Sequence, residues 1–291
     1  MYSAKINQGL KLKKTLKELF MKEFFGIGGY QREPEGYMSW QHLTFVSIII
    51  LIMAFSAVYI GLKNRKYDLK RKNRTLIVSA IAINAVEMIK IIFICIRSKD
   101  ILSFLYELPL FLCSIQLITI PLAAFAKGRV REASLDNVFM FGLLGAIMGT
   151  YLAGNNYGSY PVLSLDNVTS GITHAISGFA AIYIGVSGIC SMKKKNIYIN
   201  FSIISAFCVV AYIVNHIIDY NYMFLMRGDG TPYDIILNLV NGNKVLYPLI
   251  VVGLFILYIS LFYYVFFAIQ KKLQRKKEQR AEEKIEEACH V

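Results

Sequence analysis

The sequence has few of the features that mark soluble enzymes. It contains no Gly-x-Ser-x-Gly elbow, no glycine-rich phosphate-binding loop and no His-Glu-x-x-His pair. Their absence argues against elbow-type serine hydrolases, P-loop nucleotide binding and zinc proteases. We therefore expect neither a metal ion nor another cofactor.

Cysteine is also sparse, and no two cysteines have the spacing of a paired motif. Four of the five lie in apolar stretches and the fifth lies in a charged tail; they are Cys95, Cys113, Cys190, Cys208 and Cys289. This pattern excludes a disulfide framework and a structural zinc site.

Charge is nearly missing from seven long apolar stretches, which excludes an ordinary soluble domain. Hydrophobic residues make up 56% of the 291 positions, and the mean hydropathy is +0.48. A hydrocarbon core needs about 20 apolar residues per spanning helix. The sequence predicts an all-α polytopic membrane protein, a bundle of about seven transmembrane helices at 41–62, 75–96, from between 101 and 107 to 125, 138–154, 169–191, 197–219 and 245–269.

Three regions follow from this pattern. Residues 1–40 form a basic amino-terminal arm, 41–270 the transmembrane domain and 271–291 a charged tail. In the arm, leucine and phenylalanine recur at helical spacing opposite lysines, from Leu12 to Phe24, which predicts a helix lying in the membrane interface. A solvated basic arm is the alternative.

The formal charge of +13 comes mostly from lysine and arginine beside the apolar stretches. Such residues set topology and contact anionic lipid headgroups, so we expect membrane lipids and not nucleic acid as partners. Loops on one side, with the tail, carry 20 basic residues, against 11 on the other side with the arm. The positive-inside rule predicts a multipass protein of the cell membrane with a cytoplasmic carboxyl terminus.

Polar residues inside the spans collect toward the predicted outer end. Consecutive spans alternate in direction, so this common depth does not follow from sequence proximity. It predicts a polar pocket in the outer half of the bundle, whereas the cytoplasmic halves contain almost no ionisable groups. The candidate residues are His42, Asn84, Glu87, Lys90, Glu107, Cys113, Gln116, His174, Asn215, His216 and Asn221.

Each candidate also has a structural interpretation. Glu87 and Lys90 are three residues apart and would neutralise one another on one helix. Asparagines in spans commonly bond neighbouring helices, and histidines near an interface reach water. Taken together, Cys113 and His174 suggest a nucleophile and its base. Their relative depth depends on whether the third span begins near Ile101 or near Glu107.

Two short stretches resemble a known family. Residues 108–114, Leu-Pro-Leu-Phe-Leu-Cys-Ser, resemble the Leu-Pro-Leu-His-Leu-Cys-Ser signature of the YwaF-like bacterial integral membrane proteins. Residues 221–225, Asn-Tyr-Met-Phe-Leu, preceded by Val214-Asn215, resemble that family's carboxyl-terminal signature. Order and spacing agree over about residues 25–268.

The resemblance implies lipid chemistry, because distant eukaryotic relatives include a multipass acyltransferase acting on ether phospholipids. By this resemblance Cys113 would accept the acyl group and His174 would act as the base. The chain departs from the signature at Phe111, where the family usually has histidine.

Three functions remain open from the sequence. The first is a phospholipid acyltransferase or thioester-forming acyl hydrolase, with Glu87 and Asn215 orienting groups beside Cys113 and His174. The second is a transporter or receptor-like binding protein for a small polar solute, with Glu87 and Lys90 as a relay. The third is a structural or accessory membrane protein without chemistry.

Overall fold

Helices make up almost all of the computed structural model, which describes residues 17–189 and 192–289, with side chains up to residue 280. No strand occurs in these residues. The helices are α1 Trp40–Asn64, α2 Leu69–Ser98, α3 Gln116–Phe125, α4 Gly128–Tyr151, α5 Gly154–Ser159, α6 Leu165–Ser187, α7 Ile197–Ile218, α8 Tyr233–Leu239 and α9 Leu246–Cys289. The last helix continues through the predicted tail boundary at residue 270 without a break.

Six helical stretches are long and apolar enough to cross a membrane: α1, α2, α4 with α5, α6, α7 and α9. Inside lipid, a helix satisfies every backbone hydrogen bond within its own segment. Apolar runs of this length therefore fold as helices, and the prediction of an all-α polytopic membrane protein is confirmed.

The predicted third span is not a continuous helix, so that expectation is wrong. A 3-10 helix covers Ile101–Glu107, residues 108–115 are irregular, and α3 has only ten residues. The segment still crosses the bundle. The Cys95 thiol donates to the carbonyl of Ile101 near one end of α2, and the Asn73 amide donates to the carbonyl of Ala124 near the other.

Helix α4 begins ten residues before the predicted span, at Gly128. Glu132 and Asp136 therefore lie within a helix and not in a loop. Asp136 is 2% exposed and accepts hydrogen bonds from Tyr263 and Asn196. The cytoplasmic halves of the spans were expected to contain almost no ionisable groups. Asp136 lies in such a half, so that expectation is wrong.

Helices α4 and α6 run antiparallel and pack closely through small residues. A Cβ on Gly142 would lie 2.6 Å from the carbonyl oxygen of Ser177, and one on Gly178 would lie 2.6 Å from the Cβ of Ala146. Small residues let transmembrane helices approach this closely. The pair forms the centre of the bundle, against which α1, α2 and α3 pack.

The described part of the amino-terminal arm lies across the end of α2 and α6. Arg97 on α2 forms a two-pronged ion pair with Asp166 on α6 at 2.7 Å, and the Tyr30 hydroxyl donates to the same carboxylate at 2.5 Å. At the other end of the bundle, Lys194 lies 5.6 Å from the Phe267 ring. The described part of the arm and Phe267 on the final helix therefore lie at opposite ends of the bundle.

Residues 17–23 of the arm are helical, and Phe20 is half-exposed. The rest of the predicted interfacial helix, including Leu12, lies outside the described residues. Its placement in a membrane interface stays a prediction.

Candidate active site

The third crossing is broken at residues 108–115. Pro109 has no backbone N–H and disfavours helical backbone at Leu108, which is extended with φ −60° and ψ 147°. Irregular backbone at membrane depth is tolerated where protein buries it or where it lines a cavity. The broken segment is therefore expected to face protein or a cavity and not lipid. Cys113 lies in this segment.

Tyr222 holds the broken segment in place. Its hydroxyl donates to the carbonyl of Leu105 at 2.5 Å and accepts from the backbone N–H of Leu108 at 3.1 Å. The side chain is fully buried, and burial raises the pKa of its phenol, so the hydroxyl stays a neutral donor. The two sequence signatures therefore contact each other at the start of the break.

Asn215 fixes Tyr222 in turn. Its side-chain oxygen accepts from the backbone N–H of Tyr222 at 2.7 Å, and its amide donates to the Tyr222 carbonyl at 3.0 Å. Asn215 is fully buried near the end of α7. Both polar atoms of the Asn215 amide are therefore used to hold the backbone of Tyr222.

Phe111, the departure from the family signature, packs into an aromatic cluster. Its ring centroid lies 5.0 Å from that of Tyr222 and 6.2 Å from those of Tyr220 and Phe224. The side chain at position 111 thus supports the same contact between the two signatures.

Cys113 and His174 lie against neighbouring turns of α4. A Cβ on Gly145 would be 3.6 Å from the Cβ of Cys113, and a Cβ on Gly149 would overlap the imidazole of His174. Positions four apart on a helix have Cβ atoms about 6 Å apart. The glycines therefore make room for Cys113, which comes from the break, and for the His174 imidazole, which comes from α6, about one helical turn apart along α4.

Both groups are half-buried, and the imidazole has spare hydrogen-bonding capacity. No hydrogen-bond partner for either ring nitrogen of His174 lies within the described part of the chain. The Ser114 hydroxyl lies near the sulfur of Cys113. A hydroxyl at this position can donate to negative charge on the sulfur.

Three charged groups form a largely buried cluster near this pair. The ammonium of Lys90 lies 2.6 Å from Glu87 and 2.9 Å from Glu107, and Glu87 is only 8% exposed. Lys90 interacts electrostatically with both Cys113 and His174. The pairing of Glu87 with Lys90 on one helix is thus present, and Glu107 from the 3-10 helix joins it.

Asn84 and Gln116 lie where α2 meets the start of α3. The Asn84 amide donates to the carbonyls of Ala80 and Leu117, at 3.0 and 3.1 Å, and so ties the two helices together. Gln116 is fully buried, and its side-chain oxygen accepts from Thr119 at 3.2 Å. Its Nε2 has no hydrogen-bond partner in the described residues.

Three further predicted site residues have hydrogen-bond partners of their own. The ring of His42 bonds the backbone of α4 and stacks on Tyr157, with centroids 3.8 Å apart. His216 is exposed, and its Nδ1 donates to the carbonyl one turn back at 2.8 Å. The Asn221 amide donates to the carbonyl of Arg227 at 2.7 Å and so closes the loop after α7.

Sequence reasoning missed Gly145, Gly149, Ser114 and Tyr222 as parts of this site. A signal for the glycines was available, because Gly145-Ala146-Ile147-Met148-Gly149 is a Gly-x-x-x-Gly pattern in an apolar segment. Tyr222 stands inside the second signature. Its two long-range bonds to residues 105 and 108 had no local sequence signal.

No cluster of three or more His, Cys, Asp or Glu side chains suited to a metal ion occurs among the described residues. A family model described as the TMEM164 family matches residues 37–266. The match covers helices α1 to α8 and the first five turns of α9. No curated protein and no solved structure matches the chain.

Proposed function

We propose that this chain, which belongs to the TMEM164 family, is a membrane enzyme that transfers or hydrolyses lipid acyl chains through a thioester on Cys113. The family is one of multipass membrane proteins. The observation that carries the proposal is the placement of Cys113 and His174 on neighbouring turns of α4, at the break in the third crossing. The resemblance to YwaF-like proteins and their acyltransferase relatives supports the same chemistry.

In the first half-reaction His174 acts as the base. It accepts the proton of the Cys113 thiol, and the resulting thiolate attacks the ester carbonyl of a donor lipid. The carbon–oxygen bond to the leaving lysolipid then breaks. The protonated imidazole returns the proton to the leaving alkoxide, and the acyl group remains on the sulfur as a thioester.

In the second half-reaction the thioester is the acyl donor. His174 accepts a proton from an acceptor hydroxyl, and the oxygen attacks the thioester carbonyl. The carbon–sulfur bond breaks, and the proton passes from the imidazole to the Cys113 thiolate. A lysolipid acceptor gives acyl transfer, whereas water gives hydrolysis.

Charge around the pair suits this chemistry. An isolated thiol in apolar surroundings stays protonated and inert. Here the Ser114 hydroxyl and the ammonium of Lys90 lie near the sulfur. Glu87 and Glu107 hold that ammonium in place. Their role in the proposal is to position Lys90 and not to react.

Among the histidines in the described part of the chain, which are His42, His174 and His216, His174 is the one suited to act as the base. His42 is occupied by backbone bonds, His216 is exposed, and Phe111 occupies the position where the family signature has histidine. The aromatic packing of Phe111 is consistent with a supporting role for position 111. The chemistry then depends on His174 alone.

The proposal includes an orientation. The end bearing Cys113 and the arm would face outward, and the end bearing Lys194 and the tail would face the cytoplasm of the cell, because basic residues are more numerous there. Membrane lipids would then be the substrates at one end and electrostatic partners at the other.

A transporter or receptor-like protein for a small polar solute is the second candidate. A specific observation favours it, because the buried Glu87–Lys90–Glu107 cluster beside a discontinuous crossing resembles the ion and solute sites of transporters. Uptake into proteoliposomes that persists in Cys113→Ser would support this function over acyl transfer.

The test of the enzyme proposal is intact-protein mass spectrometry after incubation of the purified chain with mixed phospholipids. We expect the wild type to gain the mass of an acyl chain on Cys113, and hydroxylamine to remove it. The adduct is absent from Cys113→Ser and strongly reduced in His174→Ala.

Two variants serve as matched controls. Cys95→Ser removes another partly buried thiol, and His216→Ala removes an exposed imidazole. Both are expected to form the adduct as the wild type does. A wild type without an adduct, or one acylated equally on Cys95, would contradict the proposal.

A further inference from the structure

A cavity lies at the opposite end of the bundle from Cys113, between the start of α7 and the middle of α9. It has a volume of about 340 Å³, within the range of small-molecule sites. Its wall includes two lysines and four aromatic side chains: Lys194, Lys195, Tyr198, Tyr263, Tyr264 and Phe267. From this cavity we propose a binding site for the headgroup of one anionic phospholipid, independent of the acyl chemistry proposed above.

The charges around the cavity leave two cations available for the ligand. Lys193 forms an ion pair with Glu132. None of the ion pairs found among the described side chains involves Lys194 or Lys195, and both residues are exposed. Two adjacent unpaired ammonium groups are suited to a phosphate, which they can contact as point charges.

The inner wall of the cavity is held by a buried hydrogen-bond network. Tyr263 donates to Asp136, and Asn196 donates to the same carboxylate oxygen, at 2.9 and 2.8 Å. Asn200 also donates to the Tyr263 hydroxyl at 3.1 Å. The negative charge of Asp136 is thereby hydrogen-bonded behind the wall, while the positive charge of the lysines faces the opening.

The aromatic residues favour a lipid over a free anion. Tyr198 and Tyr264 are each 72% exposed on the outside of the bundle. Tyrosines at this position relative to basic residues are typical of the headgroup level of a membrane. The ammonium of Lys194 lies 5.6 Å from the Phe267 ring, so one cation is held against the apolar wall. A phospholipid would place its phosphate at the lysines and its chains along the apolar faces of α7 and α9.

The experiment is native mass spectrometry of the full chain in detergent, titrated with phosphatidylglycerol or with phosphatidylcholine. We expect one phosphatidylglycerol to be retained more tightly than phosphatidylcholine. Lys194→Gln with Lys195→Gln should weaken that binding by about tenfold or more, because each lysine near anionic lipid contributes appreciably.

The matched control is Lys271→Gln with Lys272→Gln, which removes the same charge from the same end of the bundle but not from the cavity wall. It should change the affinity less than threefold. Equal weakening by both double variants would overturn the site in favour of diffuse attraction. Inorganic phosphate that displaces the lipid at equal concentration would also overturn it, since the ligand would then be a free anion.

Discussion

The surroundings of His42 and of His174 differ although both histidines lie toward the same end of the bundle. His42 is fully buried, its Nδ1 accepts from the backbone N–H of Met38 at 3.2 Å, and its Nε2 donates to the carbonyl of Thr150 at 3.0 Å. His174 is half-buried, and neither of its ring nitrogens has a hydrogen-bond partner in the described chain.

The comparison separates a structural histidine from a reactive one. The backbone partners of His42 fix its tautomer and leave no nitrogen for a proton transfer. His174 keeps both nitrogens available and lies over a glycine, one turn from the glycine beside Cys113. Both residues are histidines toward the same end of the bundle, so the free ring nitrogens of His174 are what distinguish it as the candidate base.

The largest expected effect comes from replacing the two histidines in turn. His174→Ala should slow acylation of Cys113 by at least about a hundredfold, since a general base contributes that much. The midpoint of thermal unfolding should change little, because no hydrogen bond of the ring is lost. Single-turnover acylation and thermal unfolding measure the two effects.

His42→Ala should behave in the opposite way. It leaves two backbone groups without their partner and should lower the midpoint by roughly 5 °C, from a loss of about 1–3 kcal/mol. Acylation of the folded fraction should remain within about threefold of wild type. If His42→Ala abolished acylation while the protein remained folded, the distinction between the two histidines would fail.

The next effect concerns the glycines that face Cys113 and His174. Gly149→Ala would place a methyl group inside the His174 imidazole and displace the ring. We expect acylation to slow by at least about tenfold, because small misplacements of catalytic groups are costly. Measurement of the acylation rate at saturating lipid isolates this effect from binding.

Gly145→Ala is the control for that change. Its Cβ would meet Cys113 at 3.6 Å, an ordinary contact, and both substitutions raise helix propensity equally. Acylation should stay within about threefold of wild type. Equal loss in both variants would mean that α4 packing, and not the position of His174, limits the reaction.

Much of the fold was predictable from the sequence, for a physical reason. Apolar runs of spanning length have one stable backbone solution in lipid, so the long helices follow from composition. The break in the third crossing was not predicted, although Pro109 was visible, because proline is also tolerated inside transmembrane helices. The early start of α4 was hidden by Arg129, Arg131 and Glu132, which resemble a loop in hydropathy.

The candidate site was predictable only in part. Polar residues at a common depth pointed to Glu87, Lys90 and Glu107, which form ion pairs with one another, and to Cys113 and His174, which lie against neighbouring turns of α4. Depth alone could not separate His42 from His174, since that difference depends on the backbone of residues 38 and 150. Likewise, the bonds of Tyr222 to the break join positions more than a hundred residues apart.

A smaller effect is expected when the support of the broken crossing is weakened. Tyr222→Phe removes the hydroxyl that joins Leu105 and Leu108 but keeps the buried ring. The loss should be about 1 kcal/mol in stability, typical of a hydrogen bond between transmembrane segments, with acylation reduced roughly threefold to tenfold. Thermal unfolding and acylation are measured on the same sample. Tyr220→Phe, which keeps its ring contacts with Phe111, serves as the control.

The smallest effect is expected at position 111, where the family signature has histidine. Phe111→His exchanges one ring for another in a cluster formed with Tyr220, Tyr222 and Phe224, so acylation should change less than about threefold. The sharper measurement is the double variant Phe111→His with His174→Ala. If position 111 only supports packing, the double variant stays as slow as His174→Ala alone. Recovery of the acylation rate by tenfold or more would show that a base can act from position 111. The role of base would then not be specific to His174.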